Sequence, residues 1–295
     1  MPNSRPHPSR PRRQKARRRA VIATSLLAVV AVGVYLVVRS LAPVIGPVLI
    51  GSGCQAAAPH QSVLLDTQQA SIAATIAGVA HQQSMPRAAV TIAYATAMQE
   101  SKLHDLAYGD MDSVGVFQQR PSQGWGPARK LENPIYATTK FFRALRAIHG
   151  YETMPVYQAA QAVQHSADGS AYIQYERMAA EMTGAFTGQR GHAVYCWSLA
   201  ASPRHPDVGA LTEGLSSTFG HPTANLARTG PARTMLVPIG HTKLGWAVAS
   251  WLVTHSTKYG IHQVRFGGYQ WRAAAGTKGW VRDAGAPLAG TIQLS

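Results

Sequence analysis

Residues 87–103 read RAAVTIAYATAMQESKL, and their pattern differs sharply from that of the segment that follows them. Val90, Ala93 and Ala97 recur at helical spacing, which predicts an amphipathic helix with one buried face. Residues 104–127, HDLAYGDMDSVGVFQQRPSQGWGP, are instead rich in Gly, Asp, Ser and Pro, which is typical of a loop. The sequence therefore predicts a buried helix that ends at the border of an irregular polar segment.

Helical patterns dominate the rest of the central region. They cover residues 62–100, 134–148, 154–163 and 171–186. Within the loop-like segment, only Val114 to Gln118 has the pattern of a short strand. We therefore predict one mainly α domain, of the α+β kind, over residues 54–196.

The sequence becomes looser after Cys196. Residues 197–231 have no sustained periodic pattern, which predicts a linker. Residues 232–295 contain a strand-like MLVPI, a helical LGWAVASWLVTHSTKYG and a hairpin-like HQVRFGGYQWRAA with a Gly-Gly turn. These patterns predict a small C-terminal α+β domain.

The amino terminus has the pattern of a membrane anchor. Residues 1–19 carry eight basic side chains and no acidic one, whereas residues 20–38 are apolar and uncharged. As a helix, these 19 residues would be about 28 Å long, close to the roughly 30 Å of a hydrocarbon core. We predict a single-pass cell-membrane protein with a cytoplasmic basic tail, a signal anchor at 20–38, a juxtamembrane linker at 39–53 and an extracytoplasmic remainder.

Two alternatives remain open for the anchor. A cleaved secretory signal has an apolar region of about 7–15 residues, which is shorter than this one. Lipid attachment at Cys54 would require a signal sequence before the cysteine, but Gly51 stands where Leu or a similar residue is expected. A retained anchor therefore fits the sequence better than either alternative.

The net charge of +15 is unevenly distributed. Residues 55–196 contain ten basic and ten acidic side chains, whereas residues 197–295 contain nine basic and three acidic ones. With the central region balanced and the Arg-rich tail explained as a topology signal, we expect no nucleic-acid partner.

Cys54 and Cys196 are the only cysteines, and they flank the charge-neutral region. Two cysteines exclude a scaffold with several disulfides and a Cys-rich zinc domain. Outside the membrane the pair can be oxidised, so we predict a Cys54–Cys196 disulfide. The alternative is two buried thiols.

Glu100 is the strongest candidate for a catalytic residue. It lies near the end of an apolar helix and directly before the polar loop. A partly buried carboxyl in such a place can hold the proton that a general acid donates to a leaving oxygen. The alternative is an ordinary exposed glutamate on a polar helix face.

The motifs around Glu100 resemble those of the lytic transglycosylase and lysozyme-like superfamily. The resemblance lies in Glu100-Ser101 at a helix end, followed by the sequence GVFQ at residues 115–118. The longer pattern, with ENPIYATTKFFRAL, AQAVQHSADGSAY and the closing Cys196, is similar to actinobacterial single-pass membrane proteins with an extracytoplasmic lysozyme-like domain. It covers residues 54–196, about half of the chain.

The resemblance implies a membrane-anchored enzyme that cleaves β-1,4 glycosidic bonds of peptidoglycan, and most directly a lytic transglycosylase. Glu100 would be its single general acid/base. The superfamily's third motif is absent, and AQAVQHSADGSAY stands in its place. The substrate-binding candidates are Ser101, Gln118, Gln119, Gln164 and Tyr172.

Two other functions fit the same motifs. A lysozyme-type hydrolase would need a second carboxylate, and Asp110 and Asp112 are the nearest. Both lie in a loop-like segment, where Asp usually stabilises turns. The other alternative is a non-catalytic peptidoglycan-binding or wall-assembly protein on the same fold.

We expect no metal and no cofactor. The histidines of the C-terminal part include His205, His221, His241, His255 and His262, without an HExxH motif or comparable ligand spacing. The expected partners are peptidoglycan strands, the membrane and, through the basic C-terminal domain, anionic wall polymers.

Overall fold

The computed structural model describes residues 51–166, 169–198, 206–220, 227–229 and 234–295 of the chain. Among these residues, no helix combines the length and the apolar character needed to cross a membrane. The basic tail at 1–19 and the anchor at 20–38 lie outside the described residues, as does most of the juxtamembrane linker.

The prediction of a mainly α fold is wrong. About 51% of the described structure is helical and 15% is strand, in two antiparallel sheets of three and six strands. The strands were underestimated because several are short and carry weak β-forming sequences, such as Ser52–Ala56 with SGCQA. Such segments become strands through pairing with residues far along the chain.

Nine α-helices are described. They are α1 (Thr67–Gln82), α2 (Arg87–Ser101), α3 (Ala128–Leu131), α4 (Pro134–Arg146), α5 (Val156–Gln164), α6 (Glu176–Phe186), α7 (Val208–Phe219), α8 (Thr242–Thr254) and α9 (Ser256–Tyr259). Short 3₁₀ helices occupy Pro121–Gln123, Gly169–Tyr175 and Ala273–Lys278. α7 lies within the segment predicted as a linker, and its Leu211, Leu215 and Phe219 are buried.

α2 is the central helix and packs against α1, α5 and α6. Ala93, Ala95 and Ala97 have no exposed surface, and their small side chains allow the neighbouring helices to approach closely. The buried Tyr94 hydroxyl donates a hydrogen bond of 2.8 Å to the carbonyl oxygen of Ala73 in α1. This packing fixes the end of α2, where Glu100 lies.

The smaller sheet has the order β2-β1-β3 and brings the ends of the predicted lysozyme-like domain together. Its strands are β1 (Ser52–Ala56), β2 (Val63–Leu65) and β3 (Val194–Ser198). Cys54 and Cys196 are directly opposite each other in the β1–β3 pairing and form a buried disulfide, as predicted. Because the bridge closes a separation of 142 residues, it stabilises the fold by roughly 5 kcal/mol in the chain-entropy model.

The larger sheet has the order β4-β5-β9-β6-β7-β8 and lies in the C-terminal part. Its strands are β4 (Ala227–Thr229), β5 (Thr234–Pro238), β6 (Gln263–Phe266), β7 (Tyr269–Arg272), β8 (Val281–Arg282) and β9 (Thr291–Leu294). α8 packs against α1 and β3, so residues 51–295 belong to one compact unit. Two indole N–H groups cross from the C-terminal part to β3: Trp271 donates to the Cys196 carbonyl at 2.9 Å and Trp280 to the Val194 carbonyl at 2.7 Å.

Candidate active site

Glu100 lies in the last turn of α2 and is half-buried. The helix ends directly after it because Lys102 and Leu103 adopt left-handed backbone conformations, with φ of 56° and 59°. No basic side chain of the described residues lies within 4.0 Å of the Glu100 carboxylate. The carboxylate therefore lies at the border of the core without a neutralising cation.

Tyr172 provides the hydrogen-bond donor to Glu100. The Tyr172 hydroxyl lies 2.7 Å from Oε1 of Glu100, and its ring is 1% exposed. Burial raises the pKa of this phenol well above its usual range, the Ser166 hydroxyl lowers it, and Glu100 raises it again. The phenol therefore stays protonated and acts as a neutral donor to the carboxylate.

Ser101 connects the end of α2 to the loop with the GVFQ motif. Its buried hydroxyl donates to the carbonyl oxygen of Val116 at 2.7 Å and accepts from the His104 N–H at 3.2 Å. This hydroxyl faces the protein interior, and its hydrogen bond connects the end of the helix to the loop.

The GVFQ motif forms a tight hairpin. Val114 and Gln119 exchange two backbone hydrogen bonds, of 3.1 and 3.0 Å. Gly115, between them, has φ of 76°, and a β-carbon there would overlap the carbonyl oxygen of Leu131. Glycine is therefore required at this position for both its backbone conformation and its close packing.

The two residues after Gly115 anchor the hairpin in the core. Val116 and Phe117 have no exposed surface, and the Phe117 ring stacks on Phe141 with ring centroids 4.4 Å apart. The Phe117 carbonyl oxygen accepts a hydrogen bond of 2.7 Å from Nε2 of Gln164, at the end of α5. The carbonyls of Val116 and Phe117 thus connect the hairpin to both α2 and α5.

The other two predicted glutamines, Gln118 and Gln119, differ from each other in their surroundings. Gln119 is 1% exposed and its Nε2 donates to the Ala137 carbonyl in α4 at 3.2 Å, so this side chain belongs to the interior. Gln118 is half-buried at a φ of 46°, and its amide donates to the carbonyls of Gly115 and Tyr108. The hairpin thus connects to Ser101 and Gln164, Tyr172 binds Glu100, and Gln119 lies towards α4.

The two loop aspartates have different surroundings. The Asp112 carboxylate accepts from the Ser122 backbone N–H at 2.7 Å, the Ser122 hydroxyl at 2.9 Å and Arg120 Nε at 3.0 Å. The Ser122 backbone hydrogen bond, followed by that of Arg120, lowers the Asp112 pKa to about 2. Asp112 therefore holds its own loop together as a carboxylate, whereas Asp110 is exposed.

Asp105 is a carboxylate that the sequence reasoning missed. Its Oδ1 is buried without a hydrogen-bond partner among the described residues, and a β-carbon on Gly115 would lie 3.6 Å from that oxygen. Burial, and secondarily Glu132, raises the Asp105 pKa to about 6. A signal was present in the sequence, since Asp105 lies five residues after Glu100 at the start of the same loop.

A comparison with known protein families finds no match, and a comparison with curated proteins finds none. The relationship to the lytic transglycosylase and lysozyme-like superfamily stays a prediction from the motifs. Within the described ranges, no group of three or more His, Cys, Asp or Glu side chains is arranged to hold a metal ion.

Proposed function

We propose that this protein is a peptidoglycan lytic transglycosylase that is anchored in the cell membrane and acts outside it, with Glu100 as its single general acid/base. The observation that carries the proposal is the Glu100 carboxylate at the end of α2, held by the Tyr172 hydroxyl at 2.7 Å. The order of the motifs in the sequence, in which GVFQ follows Glu100-Ser101, also supports the proposal.

The chemistry follows from the two oxygens of the carboxyl group. Tyr172 donates to Oε1, which leaves Oε2 to carry the transferred proton. In the first half of the reaction, the bond between C1 and the leaving oxygen breaks, and that oxygen takes the proton of Glu100. In the second half, the resulting carboxylate removes the proton of the sugar's own 6-hydroxyl, whose oxygen bonds to C1. The products are a free 4-hydroxyl and a 1,6-anhydro end.

One carboxyl is sufficient for this sequence of steps, because no water has to be activated. A hydrolase would use a second carboxylate. Of the two candidates, Asp112 is engaged by Ser122 and Arg120, which argues for a turn-stabilising role. This role for Asp112 removes one of the two candidates for a second carboxylate and supports the single-carboxyl mechanism.

The test is digestion of purified peptidoglycan by the full chain, with mass analysis of the soluble fragments. We expect fragments with 1,6-anhydro ends. Glu100→Gln should reduce their release by at least about a hundredfold, because a general acid contributes about 10²–10⁴ in rate. Glu213→Gln, which removes an exposed carboxylate on α7, is the matched control and should retain the activity.

The alternatives predict different products. Reducing ends in place of anhydro ends would contradict the transglycosylase and favour the hydrolase. If a folded, disulfide-bonded chain releases nothing but binds intact wall, the non-catalytic peptidoglycan-binding function replaces the enzyme.

A further inference from the structure

A cavity of about 290 Å³ lies in the described structure between α1, the start of α2 and α8. Four of its side chains can carry positive charge: His81, Arg87, His241 and Lys243. We call this cavity the basic pocket. Among the residues described, its lining includes no Asp or Glu. A concave site whose ionisable side chains can all carry positive charge is suited to bind an anion.

The fold brings the four side chains together from both halves of the chain. His81 is in the last turn of α1 and Arg87 is the first residue of α2, whereas His241 and Lys243 begin α8. The turn at Gly188 lies against the start of α8: a β-carbon on Gly188 would lie 2.8 Å from the Ala247 backbone nitrogen, and its φ is 72°. Glycine at this position permits the close approach of this turn to α8, and its neighbours Thr187 and Gln189 line the pocket.

The basic groups repel each other whenever both members of a pair are protonated. The rings of His81 and His241 have their centroids 6.3 Å apart. Burial, and then the charges of His241 and Lys243, lower the His81 pKa. An anion placed among these groups would relieve the repulsion, because each positive charge would gain an opposite charge within a few ångströms.

Residues with hydrogen-bond donors line the pocket from several elements. His241 caps α8 by accepting the Leu244 N–H at Nδ1, at 3.2 Å, and this bond assigns the ring proton to Nε2, a donor. The first backbone N–H groups of α8 have no acceptor within the helix and mark its positive end. Arg87 is held in place because its Nη1 donates to Oε1 of Gln189 at 2.6 Å.

We propose that the basic pocket binds a phosphate group. Donors come from α2, from α8 and from a histidine, and a phosphate group can accept from more of them at once than the two oxygens of a carboxylate can. A concave cavity is suited to a single phosphate group. Binding to a membrane would instead require a flat or protruding basic surface. The phosphate could be supplied by an anionic wall polymer with phosphodiester links or by a soluble phosphate, and the site does not depend on the chemistry of Glu100.

The first measurement is binding of inorganic phosphate to the full chain. Calorimetry and the NMR signals of the histidine rings detect this binding. We expect saturable binding that shifts the signals of His81 and His241. Lys243→Gln and Arg87→Gln should each weaken phosphate binding by about fivefold or more, since each removes a charge-assisted hydrogen bond. Lys258→Gln, which removes an exposed lysine on α9, is the matched control and should bind as the unchanged chain does.

The source of the phosphate is distinguished by two further probes. A soluble poly(glycerol phosphate) that competes with inorganic phosphate supports a wall polymer, and its failure to compete supports a small phosphate. If vesicles with anionic headgroups bind through Lys243 and Arg87 while inorganic phosphate does not bind, a membrane surface replaces the phosphate pocket.

Three results would overturn the proposal: no saturable binding of phosphate, equal weakening by Lys258→Gln, or acetate that binds as tightly as phosphate. Each variant is checked by its thermal unfolding, so that a misfolded chain is not counted. Glu100→Gln should keep its phosphate affinity. A failure of the proposed enzymatic function is therefore separable from a failure of the basic pocket.

Discussion

The hydroxyl of Tyr172 donates a hydrogen bond of 2.7 Å to Oε1 of Glu100, across 72 residues of sequence. The contact joins the 3₁₀ helix at Gly169–Tyr175 to the end of α2. It gives the proposed acid a fixed orientation without placing a positive charge beside it. Tyr172 is therefore assigned as a positioning residue for Glu100.

The first prediction concerns Tyr172→Phe, which keeps the buried ring and removes the donor. We expect kcat for fragment release to fall about tenfold, with KM almost unchanged, because a neutral hydrogen bond that orients the acid contributes about 1–1.5 kcal/mol. The measurement is the initial rate of release across a range of peptidoglycan concentrations. An increase in KM at constant kcat would instead assign Tyr172 to substrate binding.

The second prediction concerns Ser101→Ala. The change leaves the Val116 carbonyl without its 2.7 Å donor, inside the protein. We expect the free energy of unfolding in urea to decrease by about 1–3 kcal/mol. Ser217→Ala is the matched control, since the Ser217 hydroxyl donates to the Glu213 carbonyl of its own helix but is exposed, and it should cost less than about 0.5 kcal/mol. Equal losses of unfolding free energy in both variants would contradict a stabilising role for the hydrogen bond from Ser101 to Val116.

The third prediction concerns the pH dependence contributed by Asp105. Burial, followed by Glu132, raises its pKa from 3.8 to about 6, so the folded chain holds this proton more tightly than the unfolded chain. Stability from this group is therefore fully present below about pH 4 and is lost as the pH rises to about 6. Asp105→Asn should remove that decrease and stabilise the protein at pH 7 relative to the unchanged chain.

Urea unfolding at about pH 4 and about pH 7 measures the effect of Asp105. Asp110→Asn, on an exposed aspartate of the same loop, should retain the pH dependence of the unchanged chain. If Asp105→Asn and the unchanged chain lose the same stability between the two pH values, the buried carboxyl is not the cause.

The fourth prediction concerns the disulfide. Cys54→Ser with Cys196→Ser removes the bridge between β1 and β3, and the free energy of unfolding should fall by up to about 5 kcal/mol. Reductant should produce the same loss in the unchanged chain and no further loss in the double variant. Any additional loss on reduction of the double variant would show that reductant acts elsewhere.

The sequence was informative wherever one local pattern decided the structure. The helix that carries Glu100 near its end and the loop after it were predicted from apolar spacing and from Gly and Asp content. The Cys54–Cys196 disulfide is confirmed by the structure. The pairing was accessible because two cysteines allow only one disulfide within the chain, so that oxidation was the one assumption needed.

Features that depend on distant contacts were not accessible in the same way. The sheet strand Ser52–Ala56 has no β-branched residue, and it is a strand because β3 pairs with it from 142 residues away at the cysteines. The interior position of Gln119 depends on α4, and the buried oxygen of Asp105 depends on the packing around Gly115. Local spacing carries no information about these neighbours.

The two indole hydrogen bonds to β3 have a consequence for the edge of the smaller sheet. β3 is the outer strand of its sheet, and its carbonyls at Val194 and Cys196 would otherwise be available to a strand of another molecule. Trp271 and Trp280 occupy these two acceptors and shield the strand's outer side from intermolecular pairing. The C-terminal part thus covers one edge of the smaller sheet, a contribution that it makes whatever it binds.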